Sequence, residues 1–486
     1  MEEILNYIDG RLTPAGGGET LDVYDPAVGA VYATVPDSDE RDVETAVAAA
    51  RGAFPGWSQT PVTTRAALLA RLADAIEAEA AALAHAESVD TGKPITAARE
   101  IDIPRAVRNF RFFAAAVQGM ASTCYPDDPA ALHYTLRRPV GVAGCISPWN
   151  LPLYLLSWKI APALATGNCV VAKPSEVTPM TAFLLSKLAI KAGFPPGVLN
   201  IVHGRGERAG AAIVAHPEVG AISFTGGTAT GAAIARTAAP MFKKLSLELG
   251  GKNPTIVFAD CNYEEMLPEV VRAAFANQGE ICLCGSRIFV ERPLFERFRK
   301  DFVAETAAWR VGDPLLPGTR VGAVVSEAHY EKVLGYIELA RKEGGKIVAG
   351  GGAEILSGRC RDGWFIAPTV ITGLPFDCRT NQEEIFGPVA TLIPFDTEAE
   401  VTTWANATRY GLAASVWTEN LSRAHRLART ITAGVVWINC WMLRDLRTPF
   451  GGMKASGVGR EGGEEALRFF TEPTSVTIRR RPLEER

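Results

Sequence analysis

The sequence predicts an α/β protein made of two consecutive alternating units, supplemented by a few strands belonging to neither. Two observations predict it. Between residues 168 and 249 short apolar runs alternate with helical periods, and a second alternating series begins near 254. Between the two series stands "LGGKNP", where Gly250, Gly251 and Pro254 interrupt regular structure. Strands alternating with helices imply βαβ crossovers and a parallel sheet of the nucleotide-binding type.

Each element follows from its local pattern. Residues 41–52 and 61–89 carry Ala, Leu and charged residues at helical spacing, and a further helix is predicted over 94–118. "TLRRPVGVAGCISPWN" reads as two β segments ending in a loop. In the first alternating series the predicted strands are 168–173, 198–202, 219–224 and 244–249, with helices at 178–192, 207–214 and 228–239. In the second, strands are predicted at 254–259, 287–291, 366–371, 389–394, 413–417 and 434–438, with helices at 262–276, 293–308 and 326–343. No internal repeat or low-complexity linker separates the units, so a cleft between two packed domains is expected.

Bulk properties narrow the function. A chain of 486 residues exceeds one ordinary core, and 47% apolar with 21% charged residues is the balance of a globular protein. A formal charge of −4 leaves no basic footprint for nucleic acid or an anionic membrane. The ending "RRRPLEER" reads as a solvated tail. No apolar run reaches spanning length, and the first residues lack the pattern of a secretory signal. Nine scattered cysteines, an odd number, suggest reduced thiols and a cytoplasmic location.

The stretch "FANQGEICLCGSR" (275–287) concentrates the chemistry. A metal site needs further Cys or His at ligand spacing, and none is near, so no metal is expected. The C-x-C spacing is not that of a thioredoxin-type pair. Two small core residues remain a plausible description of Cys282 and Cys284. Against it, Asn277, Gln278 and Gly279 bring turn chemistry directly before Cys282. A cysteine just past such a loop meets free backbone amides that stabilise a thiolate or an oxyanion. Spacing alone does not choose between the two thiols. None of the six histidines sits in a distinctive context. Glu248, ending an apolar strand beside two glycines, is a candidate base whose partial desolvation raises its pKa; a solvent-facing glutamate is the alternative.

Seven stretches together are specific: "SPWNLP" (147–152), "KPSEVTP" (173–179), "FTGGTATG" (224–231), "LELGGKNP" (247–254), "NQGEICLCGSR" (277–287), "EEIFGPV" (383–389) and "PFGGMKASGVGREGG" (449–463). Their order and spacing resemble the NAD(P)-dependent aldehyde dehydrogenase superfamily over nearly the whole chain. The resemblance implies the aldehyde dehydrogenase fold: a Rossmann-type NAD-binding domain (1–120 and 141–250), an α/β catalytic domain (251–450) and a small β oligomerisation extension (121–140 and 466–486). It implies that Cys282 is the nucleophile, Glu248 the base for the deacylating water, and Asn150 an oxyanion donor beside the Cys282 N–H. It assigns Lys173 and Glu176 to the adenosine ribose, Glu384 to the nicotinamide ribose, and Phe386 to the neighbourhood of that ring. Ser147, Pro148, Trp149, Ser175, Phe224, Thr225, Gly226, Gly227 and Leu249 join the cofactor cleft in the same reading.

"FTGGTATG" follows a strand and opens a helix, so its amides suit a phosphate. Gly227 departs from the usual family Ser, which removes a hydroxyl contact and keeps the backbone one. "GRGERAG" (204–210) imitates a dinucleotide fingerprint more loosely and adds Gly206 and Gly210 as candidates. A carboxylate such as Glu176 accepts from ribose hydroxyls and repels a 2′-phosphate, favouring NAD over NADP.

The substrate signal is narrower. "DIPRAVRNFRFF" (102–113), "LYLLSWKIAPA" (153–163), "ANQGEICLC" (276–284) and "NCWMLRDLRTPFGG" (439–452) resemble the 2-aminomuconate and 2-hydroxymuconate semialdehyde dehydrogenases of tryptophan (kynurenine) and aromatic catabolism. Their aldehydes carry carboxylates, which a planar guanidinium binds bidentately. The resemblance assigns that task to Arg105 and Arg444. Arg105, Asn109 and Phe112 fall on one helical stripe, and Arg447 is held in reserve. The alternatives are a broad-range, betaine-aldehyde or retinal oxidiser, a CoA-acylating member, and a non-catalytic binding or structural relative. The strands expected in 131–140 and 473–481 imply, through the resemblance, a homodimer or homotetramer.

Overall fold

The computed structural model describes residues 2–480, so the charged tail from 481 onward, and the end of the predicted extension with it, lie outside the described residues. The first large sheet has eight strands in the order Gly457–Val458, Lys244–Glu248, Val219–Thr225, Val142–Ile146, Cys169–Lys173, Leu199–Ile201, Asn6–Ile8, Arg11–Thr13. The five strands from Lys244–Glu248 to Leu199–Ile201 are parallel. Val142–Ile146 comes first in the chain among them, and its successors lie on both sides. The chain therefore reverses its winding between Val142–Ile146 and Val219–Thr225, which opens a crevice at the carboxyl ends of these strands. "SPWN", Lys173, "TGG" and Glu248 all sit at those ends.

Helix Pro152–Ala165 lines the buried side of this sheet with scarcely an exposed residue. Leu153, Leu156 and Ile160 are fully enclosed, each worth about 1.5–3 kcal/mol of burial. That packing anchors the helix start, where Asn150 and Tyr154 stand.

The second large sheet has seven strands in the order Lys346–Ala349, Thr369–Thr372, Val389–Phe395, Arg287–Glu291, Pro254–Val257, Ala413–Trp417, Val435–Ile438. All neighbours are parallel except the first pair. Residues 249–253 connect the carboxyl edge of the first sheet to the amino edge of the second. The cysteine loop precedes Arg287–Glu291 and the "EEIFGP" stretch precedes Val389–Phe395, so both approach the crevice from that amino edge. Thr471–Arg479 and Ala131–Pro139 pair antiparallel outside both large sheets, joined by Cys124–Tyr125.

Several elements differ from the sequence reading. The predicted helix 61–89 is two helices, Val62–Ala78 and Ala80–Thr91, broken at Glu79. The helix over 94–118 contains a wider turn at Ala98–Asp102 just before Pro104, which cannot donate a helical N–H. The sequence reading assigns no strands within 2–36; Glu2–Glu3, Asn6–Ile8 and Arg11–Thr13 have only two or three residues, and the longer Thr20–Asp25 and Ala30–Pro36 are partly exposed, so period-2 patterning is weak. Helix Leu421–Thr430 is strongly polar, and its start is marked by Asn420, whose side chain accepts the Arg423 N–H.

Candidate active site

The loop before Cys282 has an unusual backbone. Asn277, Gln278 and Gly279 all adopt left-handed φ, at 52°, 56° and 72°. A Cβ at Gly279 would stand 2.1 Å from the Gly387 carbonyl, so only glycine fits there. The Asn253 amide then fixes the turn, donating to the Cys282 carbonyl at 2.7 Å and the Cys284 carbonyl at 2.9 Å. Cys284 is buried against Ala276, whereas Cys282 is half-buried on a cavity wall. The structure thus separates two thiols that spacing could not.

That cavity, about 240 Å³, is lined by Pro148, Trp149, Asn150, Thr225, Gly226, Gly227, Leu249, Cys282, Glu384 and Phe386 among others. The Cys282 thiol is pushed up by burial, then by Glu384 and Glu248. Glu248 belongs to no sheet edge: its strand pairs with Val219–Thr225 on one side and Gly457–Val458 on the other. Both its carboxyl oxygens are buried without a hydrogen bond among the described residues. Burial and the neighbouring Glu461 raise its pKa well above the ordinary value. Asn150 donates through Nδ2 to the Glu280 carbonyl at 2.8 Å, which leaves one amide hydrogen for a ligand.

Residues not singled out from the sequence complete the surroundings. Lys159 Nζ donates to Glu461 Oε1 at 2.7 Å, both buried near Glu248. Lys93 Nζ donates to Asp102 at 2.6 Å and to the Asn150 carbonyl at 2.9 Å, pinning Asn150 from behind. His329 lines the Cys282 cavity, bonds the Phe386 carbonyl at 2.6 Å and lies 3.6 Å from Glu280. Burial lowers its pKa to about 4, so it is neutral near pH 7. The only advance signal for Lys93, Lys159 and Glu461 was a charged residue inside an apolar or glycine-rich run.

A second cavity of about 410 Å³ adjoins the first. Leu151 and Ile281 line it while their neighbours Asn150 and Cys282 line the other, so the two meet across these residues. Arg105, Arg108, Arg272, Arg320, Arg444 and Tyr154 face it. Arg105 is buried, and Nη2 has no partner among the described residues. Its Nε–H is held by Asn109 Oδ1 at 2.9 Å. Burial lowers its pKa to about 10, with Arg444 and Arg108 adding to the effect, so it stays charged near pH 7. Arg444 packs 4.0 Å from the Phe450 ring centroid. Arg447, the reserve candidate, points elsewhere: it is exposed and paired with Asp445 at 2.6 Å.

Of the remaining candidates, Glu176 lines a third cavity, about 400 Å³, together with Arg205. Lys173 donates to Glu176 at 2.7 Å. Ser175 Oγ is taken up locally by the Val177 N–H. Gly210 lies beside the Lys173 side chain, whereas Gly206 faces open space. Ser147 Oγ is buried without a partner, and Phe224 packs under Gly226, whose Cβ would stand 2.4 Å from its ring.

A sheet crevice with a helix start at its rim brings together a half-buried thiol, a desolvated carboxyl and an amide donor, the groups an oxidoreductase acting on an aldehyde requires. The family match agrees: the model described as "Aldehyde dehydrogenase family" matches residues 13–476, and the chain belongs to that family. It is 53% identical over 477 residues to 2-aminomuconic semialdehyde dehydrogenase of Mus musculus, covering 98% of each chain. It is 46% identical to 2-hydroxymuconic semialdehyde dehydrogenase of Pseudomonas sp. (strain CF600), covering 99% of this chain and 100% of the other. The NAD+ complex structure of an aldehyde dehydrogenase from Bacillus cereus superposes with TM-score 0.95 at 42% identity, covering 98% and 97%.

The crevice fits a nicotinamide dinucleotide. Helix Thr228–Ala238 begins at Gly227 with no side-chain cap, leaving its first amides for phosphate. Thr225 Oγ1 is buried and unpartnered. A Cβ at Gly250 would stand 2.0 Å from Glu384 Oε2, so glycine there makes room for the carboxylate that faces the cavity.

Proposed function

We propose that the chain oxidises a carboxylate-bearing semialdehyde, of the 2-aminomuconate or 2-hydroxymuconate 6-semialdehyde type, to the acid with NAD. The observation that carries this reading is Arg105: a buried, charged guanidinium with an unpartnered Nη2 on the cavity next to Cys282. A desolvated arginine without an anion is costly, and a substrate carboxylate relieves that cost. Arg444 lines the same cavity and supplies the second charge. The mouse and bacterial relatives are named for such substrates.

Cys282 attacks the aldehyde carbon after losing its proton to a base; Glu384 and Glu248 are the carboxylates near enough to influence the thiol, and with Glu384 assigned to the cofactor ribose, Glu248 is the one left for that task. The alkoxide of the thiohemiacetal is met by the free hydrogen of Asn150 Nδ2 and by the Cys282 N–H. A nicotinamide bound in the crevice would accept the hydride from the thiohemiacetal carbon; what remains on Cys282 is then a thioester. Glu248 then takes a proton from water, which attacks the thioester, and the thiolate leaves as the carboxylic acid forms. For turnover the proton that Glu248 takes up must return to solvent, and the Lys159–Glu461 pair supplies polar groups beside it.

Lys173 and Glu176 hold the adenosine ribose, Glu384 the nicotinamide ribose, and Ser147, Pro148, Trp149 and Phe386 wall the ring. Glu176 disfavours a 2′-phosphate. Arg205, the nearby cation, already spends two of its side-chain donors on Asp37, at 2.9 and 2.6 Å. Residues 1–120 and 141–250 form the cofactor domain and 251–450 the catalytic domain in this reading. The strands Ala131–Pro139 and Thr471–Arg479 serve homodimer or homotetramer assembly. Among the described residues no helix is long and apolar enough to cross a membrane, which accords with a cytoplasmic enzyme.

The test is steady-state NADH formation with 2-hydroxymuconic semialdehyde against neutral aldehydes of similar length. A strong preference in kcat/KM for the carboxylated substrate supports the reading; equal values overturn it.

A further inference from the structure

We infer that the phenolic hydroxyl of Tyr154 is a third donor of the carboxylate site, reading the anionic end of the substrate together with Arg105 and Arg444. The inference rests on the proposal that those two arginines meet a substrate carboxylate.

Tyr154 is 4% exposed and lines the same cavity as both arginines. One side chain, Asn109, ties it to Arg105. Asn109 Oδ1 accepts the Arg105 Nε–H at 2.9 Å, while Nδ2 donates to the Tyr154 main-chain carbonyl at 3.1 Å and to Ser157 Oγ at 3.0 Å. Ser157 Oγ in turn donates to the Tyr154 carbonyl at 2.8 Å. The Tyr154 backbone and the guanidinium are therefore one fixed unit. The Arg105 guanidinium carbon lies 4.8 Å from the Tyr154 ring centroid, which sets the ring beside the charge.

The hydroxyl is committed on one side only. Arg444 Nη1 donates to Tyr154 Oη at 3.4 Å. Among the described residues the phenol O–H itself donates to nothing. A phenol that accepts from a cation is polarised toward donating, and a carboxylate is the strongest acceptor the cavity can receive. Two guanidinium groups bind the charge; a phenol between them adds a directional donor that a neutral aldehyde cannot use.

Tyr154→Phe keeps the ring on Arg105 and removes only the hydroxyl. With 2-hydroxymuconic semialdehyde, kcat/KM should fall about 10- to 100-fold, chiefly through KM, the range for losing one hydrogen bond to a charged group. With 2,4-hexadienal it should change less than about 2-fold. 2,4-Hexadienoate, a carboxylate that cannot be oxidised, should inhibit the variant more weakly by a similar factor. Parallel changes on both aldehydes, or unchanged inhibition, would show the ring to be wall alone and overturn the inference. If Arg105→Ala and Arg444→Ala are selective while Tyr154→Phe is not, only the third donor fails. If the arginine variants are themselves unselective, the carboxylate reading fails with it.

Discussion

Asn253 Nδ2 donates to the Cys282 carbonyl at 2.7 Å across 29 residues of chain. The same amide reaches the Cys284 carbonyl, so the junction between the two large sheets holds the thiol loop in shape. The loop's left-handed residues do not persist without such support. Cys282 lines the cavity and Cys284 does not. Cys282→Ala should therefore abolish NADH formation, while Cys284→Ala should keep most of it. Absorbance at the nicotinamide band during aldehyde oxidation checks both.

Asn150 is pinned through its carbonyl by Lys93 and through its amide by Glu280. With its position set, the remaining amide hydrogen would meet a developing oxyanion without reorganisation. Asn150→Ala should lower kcat by about 10²–10³ with little effect on cofactor binding. NAD affinity from fluorescence titration, alongside kcat, separates the two effects.

Glu248 has its pKa raised by burial and by Glu461. As a base it works only when ionised, so deacylation should quicken as pH rises through the raised value. Glu248→Gln should lose that pH limb and leave a thioester that turns over slowly. Rapid mixing should then show a burst of NADH followed by a much reduced steady rate; a variant with unaltered pH dependence would refute the assignment.

Arg105→Ala and Arg444→Ala should raise KM for a carboxylated semialdehyde tens-fold or more, the effect of losing about 2–3 kcal/mol from a charged partner. Neutral aldehydes should be nearly indifferent. Arg447→Ala, at an exposed pair with Asp445, is the internal control and should change neither.

Glu280 is buried, and desolvation holds its pKa well above the ordinary value. The folded state thus binds a proton that the unfolded chain releases near pH 4.5. Its stabilising contribution is complete below that pH and is lost as pH climbs toward the raised folded value. Glu280→Gln keeps an acceptor for the Val325 N–H, which now donates to Oε1 at 3.1 Å. The variant's Tm relative to the parent should rise between acid and alkaline pH; a constant offset would show that Glu280 does not titrate in this way.

By itself the sequence determined the alternating strands and helices, the Gly-Pro break between the two series and the seven stretches that carry the chemistry. These are local: periodicity, turn residues and short motifs act within a few positions. The strands of residues 2–36 pair mostly with one another, but they are brief or partly exposed, and what buries their apolar residues, such as Met180 and Phe183, lies far along the chain. Spacing left Cys282 and Cys284 equivalent and only the resemblance to a family preferred Cys282; the tertiary structure supplies the physical reason, since Asn253 and Gly387, from distant segments, set the shape of the loop around Gly279. It also places Arg444, which the resemblance preferred, on the second cavity and the reserve Arg447 in an exposed pair with Asp445, and it brings Lys93, Lys159, His329 and Glu461 around Asn150, Cys282 and Glu248. Whether a charge is buried, paired or left free is settled by what packs against it, and no spacing within one segment contains that information.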